Sequence, residues 1–142
     1  DDIQRRFEMG DRLTGISYGI PMLDRMTDGL QEGEYVVIGA RPSIGKTAMA
    51  VTLLHAMAVE QVVPCVFITL ETKPLGIHRR LLANVSGVPL GLLRSGKVLE
   101  EFRRITVANG RIAKAPIVYH YGLGTMDGRD AANVVRSEAR RG

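Results

Sequence analysis

The chain has no tryptophan, and aromatic residues make up only 5% of its 142 residues. Aromatic platforms for stacking bases are therefore not its main device. A single cysteine, Cys65, excludes an internal disulfide and any cysteine-rich zinc site. It lies in an apolar run, as a buried, inert thiol would. No apolar run is long enough to span a bilayer as a helix. The opening Asp1-Asp2 lacks the shape of a secretory leader, so the sequence reads as a cytoplasmic protein. Internal repeats and low-complexity tracts are also missing.

What is present suits one domain with a real core. Hydrophobic residues make up 45%, and the formal charge is +4. That mild basicity is compatible with nucleic acid or nucleotide partners and selects neither.

The sequence turns on Ala40-Arg41-Pro42-Ser43-Ile44-Gly45-Lys46-Thr47. The apolar run Tyr35-Val36-Val37-Ile38 leads in as an expected strand, and a helical pattern from Ala48 to Glu60 leads out. Strand, loop, Gly-Lys-Thr and helix together form the layout of a phosphate-binding P-loop. Backbone N–H groups of such a loop turn inward to cradle an anion. The helix directs its positive end to the same place. Gly45 admits the phosphates without a Cβ in the way. Lys46 supplies a point charge to the outer phosphates, and the Thr47 hydroxyl is a ligand for Mg²⁺. The expected nucleotide-binding set is Arg41, Ser43, Ile44, Gly45, Lys46, Thr47 and Ala48. The strict motif has Gly where Ala40 stands; Gly39 lies one residue earlier.

Val62 to Leu70 forms a second, nearly continuous apolar run, as in parallel strands covered on both faces. It ends at Glu71. An acid closing such a strand sits at the sheet edge where ligands bind, and can polarise a water that attacks the terminal phosphate. The competing reading is helix capping near Pro74, for which Thr72 is the better residue. Ile117 to Tyr121 is the third expected strand.

The remaining helices are expected at 20–26, at 74–85 with Leu75, Leu82 and Val85 inward, at 99–112 with Phe102, Ile105 and Ile112 inward, and at 130–141. His78-Arg79-Arg80 reads as a solvated face, and His120 has no metal-ligand partner at useful spacing. Ile3 and Phe7 would share one side of a short helix within residues 1–13, which equally suit a linker. These patterns define an α/β fold, a parallel sheet flanked by helices. No further strand ends in an acid, so the sheet reads as incomplete and the chain as part of a larger domain.

Several strings coincide with one family. Thr14-Gly15-Ile16-Ser17-Tyr18-Gly19, Leu23-Asp24, Gly29-Leu30-Gln31 and Gly33-Glu34 precede the Ala-Arg-Pro-Ser loop. Thr69-Leu70-Glu71, Arg79-Arg80-Leu81-Leu82, Arg94-Ser95-Gly96-Lys97 and Ala113-Lys114-Ala115-Pro116-Ile117 follow. Over residues 14 to 121 the chain resembles the RecA-like motor domain of DnaB-type replicative DNA helicases. The resemblance implies a hexameric ring that hydrolyses ATP with Mg²⁺, moves along single-stranded DNA and unwinds the duplex. A primase and a helicase loader are its implied partners. It makes Lys46 and Glu71 catalytic, Glu71 as the water-activating acid, and Thr47 the Mg²⁺ ligand. Residues 1–13 become a linker and residues 14–142 the N-terminal part of the ATPase domain. Two strings depart from the family: Thr69-Leu70-Glu71-Thr72 replaces Ser-Leu-Glu-Met, and His120-Tyr121-Gly122 stands where acids are usual. The second acidic motif, arginine finger and DNA loops have no counterpart, so the chain alone is not expected to unwind DNA. A recombinase or KaiC-like ATPase, a P-loop small-molecule kinase and an inert nucleotide-binding-like module share the P-loop.

Overall fold

The computed structural model describes residues 13–122 and 126–140. The expected linker helix with Ile3 and Phe7 falls outside the described residues.

The chain opens with a small closed motif. Ile16 and Leu30 exchange backbone hydrogen bonds as an antiparallel bridge. Between them runs α1 (Pro21–Thr27), with Pro21 in the first turn, where its missing N–H costs nothing. The buried Asp24 carboxylate accepts from the Ser17 hydroxyl and the Tyr18 amide, both at 2.7 Å, and so fixes the approach to α1.

Helix α2 (Lys46–Leu54) follows the phosphate loop. It does not continue as an α-helix to Glu60, as its pattern suggests. Residues His55–Glu60 form a π-helical turn, closed by Gln61 N–H on Ala56 O at 3.2 Å. Gly19 packs directly over this turn: a Cβ there would collide with Ala56. Strand β1 (Cys65–Thr69) is followed by α3 (Pro74–Ser86), α4 (Leu90–Ser95), α5 (Phe102–Lys114), β2 (Ile117–Tyr121) and α6 (Gly128–Ala139).

β1 and β2 pair in parallel, Cys65 opposite Ile117 and Thr69 opposite Tyr121. Parallel neighbours need a crossover, and the three helices α3 to α5 provide it. Alternate residues share a face, so Cys65, Phe67, Ile117 and Tyr119 all point the same way. That face packs on a core of Val51, Leu54, Ala58, Ile77, Leu81 and Ile112. The core thus joins α2, the π-turn, α3 and α5 to one side of the sheet. Helix α6 packs on β1 and adds nothing to this cluster.

Three expectations are corrected. Tyr35-Val36-Val37-Ile38 is not a sheet strand: it pairs with no described residue, and Tyr35 is 91% and Val37 74% exposed. Apolar content marks a segment fit for a sheet, but pairing is decided by distant residues, and no described segment lies alongside it. Two strands therefore form the described sheet, not three. On α3 Leu82 and Val85 pack half-buried against the core as expected, but the fully buried residues are Ile77 and Leu81, and Leu75 is exposed. On α5 Phe102 points outward at 67% exposure, because that helix starts at Phe102 and its inward face runs through Ala108 and Ile112.

Helix α6 begins two residues earlier than its apolar pattern indicates, because Asp127 caps it. The Asp127 carboxylate accepts from Arg129 N and Asp130 N, and the Asp130 carboxylate accepts from Asp127 N.

Leu81 is fully buried, so Leu81→Ala should lower stability by about 3 kcal/mol. In a urea titration of both variants, Phe102→Ala should stay within about 0.5 kcal/mol of the parent. The Asp130 amide, more than the Arg129 amide and side chain, holds the Asp127 carboxyl below its usual range. Its contribution is full above the unfolded carboxyl value and disappears as pH falls through the lower folded one. Amide exchange at Arg129 and Asp130, corrected for intrinsic rate, should therefore accelerate across that acidic window, and in Asp127→Asn should lose this pH dependence.

Candidate functional site: a phosphate loop at the head of a buried helix

Pro42 and Ser43 form the corner of a turn closed by Ile44 N on Arg41 O at 3.3 Å. Proline suits the second position, and Ser43 at the third has φ +64. Positive φ at that corner is the mark of a type II turn, where glycine is usual. Gly45 follows at φ +116 as the N-cap of α2 and makes no side-chain cap bond. A Cβ on Gly45 would meet only Ala48 Cβ, at 4.0 Å. The demand for glycine there is thus torsional, not steric.

The first α2 hydrogen bond to the loop is Met49 N on Gly45 O at 2.9 Å. The amides of Lys46, Thr47 and Ala48 precede it at the helix start, where no intrahelical carbonyl is available. Lys46 is exposed and Thr47 half-buried, and neither side chain bonds to another described residue. Arg41, Ser43, Ile44 and Ala48 are exposed around the same turn. The expected nucleotide-binding residues therefore occupy one continuous loop and helix end. This is an anion-accepting arrangement, with donors, a dipole end and a cation on the same few residues.

Glu71 lies just past β1, and its placement has a local cause. Thr69 Oγ1 donates to Thr72 O at 3.0 Å and accepts from Thr72 N at 3.2 Å. That closes the chain over Leu70 and Glu71 and leaves both exposed. The N-cap of α3 is Lys73, without a side-chain cap bond. Neither Glu71 nor Thr72 caps the helix, so the structural alternative for Glu71 falls away. Glu71 makes no hydrogen bond or ion pair with another described residue, Lys46 and Thr47 included. His120 lies near the C-terminal end of β2, in register with Ile68.

A polar chain behind the loop has no counterpart in the sequence reading. Thr52 Oγ1 donates to Ala48 O at 3.1 Å and accepts from Asn84 Nδ2 at 3.1 Å. Asn84 Oδ1 is 2.9 Å from His55 Nδ1, and His55 Nε2 is 2.8 Å from Glu60 Oε1. Arg111 Nη2 closes the chain on Glu60 Oε1 at 2.7 Å. The Arg111 hydrogen bond holds the Glu60 carboxyl below the usual carboxylate range, with His55 adding to it. Helix α2 is thereby tied to α3 and α5 directly behind the phosphate loop. The His55–Glu60 pairing is five residues apart, a π-helical spacing, which an α-helical pattern search does not consider.

The fold and loop are those of a RecA-like P-loop domain. Comparison bears this out: the chain superposes on a solved structure of an isolated ATPase domain with TM-score 0.85 and 24% identity, covering 99% of this chain and 50% of that one. A structure of a DnaB-like replicative helicase, described with its interactions with primase, gives TM-score 0.86 and 25% identity, covering 99% and 35%. The DnaB-like helicase C-terminal domain model matches residues 15–140, and the chain belongs to that family. A replicative DNA helicase DnaB of Treponema pallidum is 42% identical across 81% of this chain. One of Buchnera aphidicola is 34% identical across 92%. The chain spans 26% and 28% of those two relatives.

Ser43→Gly should be near neutral in thermal stability. The relief of about 1 kcal/mol of left-handed strain is offset by the greater freedom of the unfolded chain. Ser43→Val should disturb the turn and weaken binding of a fluorescent ATP analogue about tenfold, because a β-branched residue tolerates positive φ poorly.

Proposed function

We propose that this chain is the N-terminal part of a RecA-like motor domain in a replicative DNA helicase, with residues 1–13 as the linker before it and residues 14–142 in the ATPase domain. The observation carrying this reading is the loop Arg41 to Ala48 in a chain of this family, with helix-start amides and Lys46 placed for a triphosphate. ATP is the substrate. The Lys46 ammonium offsets charge on its outer phosphates, and the helix-start amides of Lys46, Thr47 and Ala48 hold their oxygens. The Thr47 hydroxyl is the protein ligand for Mg²⁺, which neutralises charge on the phosphates when bound. Glu71, free of structural duties at the sheet edge, orients and deprotonates the attacking water.

In the intact protein, Tyr35-Val36-Val37-Ile38 takes its ladder from sheet strands outside the described residues. That this chain covers half of the solved ATPase domain supports such a completion. The assembled protein is a homohexameric ring on single-stranded DNA, working in the cytoplasm with a primase and a loader. Family membership favours this reading over a recombinase or KaiC-like ATPase, a small-molecule kinase or an inert module. No described helix is long and apolar enough to cross a membrane.

The intact protein should hydrolyse ATP faster when single-stranded DNA is added. Lys46→Ala should abolish turnover. Glu71→Gln should retain binding of the fluorescent analogue but lose on the order of 10²–10⁴ in kcat. Undiminished turnover in Lys46→Ala, or no response to DNA in the parent, overturns the assignment.

A further inference from the structure

The His55 ring sits between two acceptors, and the groups around it fix which atoms those are. Thr52 has one hydroxyl hydrogen, and it goes to Ala48 O at 3.1 Å. The Thr52 oxygen can then only accept from Asn84. The Asn84 amide therefore presents Nδ2 to Thr52, at 3.1 Å, and Oδ1 to His55 Nδ1, at 2.9 Å. An amide oxygen cannot donate, so Nδ1 carries a hydrogen. On the other side, His55 Nε2 lies 2.8 Å from Glu60 Oε1. Arg111 Nη2 donates to that same oxygen at 2.7 Å and keeps the carboxyl ionised. A carboxylate only accepts, so Nε2 carries a hydrogen as well. Neutral imidazole has one N–H, so the network closes only around an imidazolium.

The π-helical turn packs on α2, α3 and α5. Helix α2 has no charge beyond Lys46 at its opposite end. Helix α3 meets the ring with the neutral Asn84, and its Arg80 stands one turn nearer the phosphate loop. Helix α5 brings Arg111, already seated on Glu60. Glu60 is thus the one acid at the ring among the described residues. The His55 side chain is 19% exposed, so water can exchange its protons. We infer that His55 is a proton-sensitive positioning residue for the phosphate-loop helix: the tie from α2 to α3 and α5 is closed while the ring carries both protons and opens when it loses one. One neutral tautomer sets a bare Nδ1 against Asn84 Oδ1, and the other sets a bare Nε2 against the Glu60 carboxylate. Lone pair faces lone pair in either case, and a bond of the tie is lost. The tie ends through Thr52 on Ala48, in the expected nucleotide-binding set, so affinity for a triphosphate should follow the charge of the ring. That last step rests on the nucleotide reading given above; the tie itself does not.

The test uses the intact protein at pH about 6 and about 8, either side of the range in which imidazoles ordinarily titrate. The first readout is solid-state NMR of protein labelled with ¹⁵N-histidine, with the His55 signals identified by their loss in His55→Gln. At the lower pH both ring nitrogens should be protonated and hydrogen-bonded. Glu60→Gln offers an amide N–H to Nε2 and an oxygen to Arg111, so it completes the network around a neutral ring. At the same pH that variant should hold a larger share of neutral ring, bare at Nε2. The second readout is affinity for a fluorescent ATP analogue with Mg²⁺, taken relative to His55→Gln so that titration of the analogue itself cancels. From the lower to the higher pH this ratio should fall about threefold in the parent and stay level in Glu60→Gln. A merely structural His55 would lower affinity equally at both pH values. Should His55→Gln fail to fold, Glu60→Gln, at an exposed position, serves as the reference. A neutral His55 ring at the lower pH, a flat ratio in the parent, or an equal fall in Glu60→Gln overturns the inference. If the analogue binds at neither pH, the nucleotide reading fails instead, and the ring spectra of parent and Glu60→Gln decide the tie by themselves.

Discussion

Two parallel strands cannot be joined by a tight turn, and this constraint organises the described structure. The connection from β1 to β2 must leave the sheet, cross it and return, and it does so as α3, α4 and α5. Returning over one face, it brings Ile77, Leu81 and Ile112 against Cys65, Phe67, Ile117 and Tyr119. Helix α2 adds Val51 and Leu54 to the same cluster. The position of the phosphate loop is therefore a consequence of packing: its helix is held from behind by the crossover. Apolar burial of this kind fixes the depth of α2. The chain from Thr52 through Asn84, His55 and Glu60 to Arg111 adds direction, because hydrogen bonds have preferred angles that apolar contacts lack.

The loop was legible because its chemistry is local. A glycine at positive φ, a proline at a turn corner and a lysine at a helix start are fixed within a few residues of one another. The same holds for β2, whose bounds coincide with the pattern, and nearly so for α3. Glu71 was legible as an acid at a strand end, though only the structure shows that it caps nothing. The failures share a cause. Tyr35-Val36-Val37-Ile38 has the composition of a core strand, but a strand exists only with a partner, and composition does not name one. Leu75 and Phe102 are apolar yet outward, because the inward arc of each helix is set by what it packs against. The start of α6 is written in Asp127 and Asp130, three apart, a polar signal that apolar spacing does not carry.

The π-helical turn at His55–Glu60 stands apart from both groups. Its wider spacing stacks residues five apart, bringing His55 over Glu60, where an α-helix would not. Gln61 secures its end: its side chain donates to Ala56 O and Ser17 O and accepts from Ser17 N. One irregular turn thus joins the N-terminal motif, the phosphate-loop helix and the crossover. No periodicity in the sequence announces it, since Ala56, Met57, Ala58 and Val59 suit an α-helix equally well.

The uncovered stretch ahead of the phosphate loop also bears on solubility. Tyr35-Val36-Val37-Ile38 combines high β-propensity with an unpaired backbone and no charge, the composition of segments that stack edge to edge between molecules. Glu32 and Glu34 stand immediately before it and Arg41 shortly after. Charges flanking such a run act as gatekeepers, since stacking in register would place like charges on top of one another. The residues that make this segment fit for the centre of a sheet are those that make it hazardous outside one, and the bordering acids serve the chain for as long as the ladder is unmade.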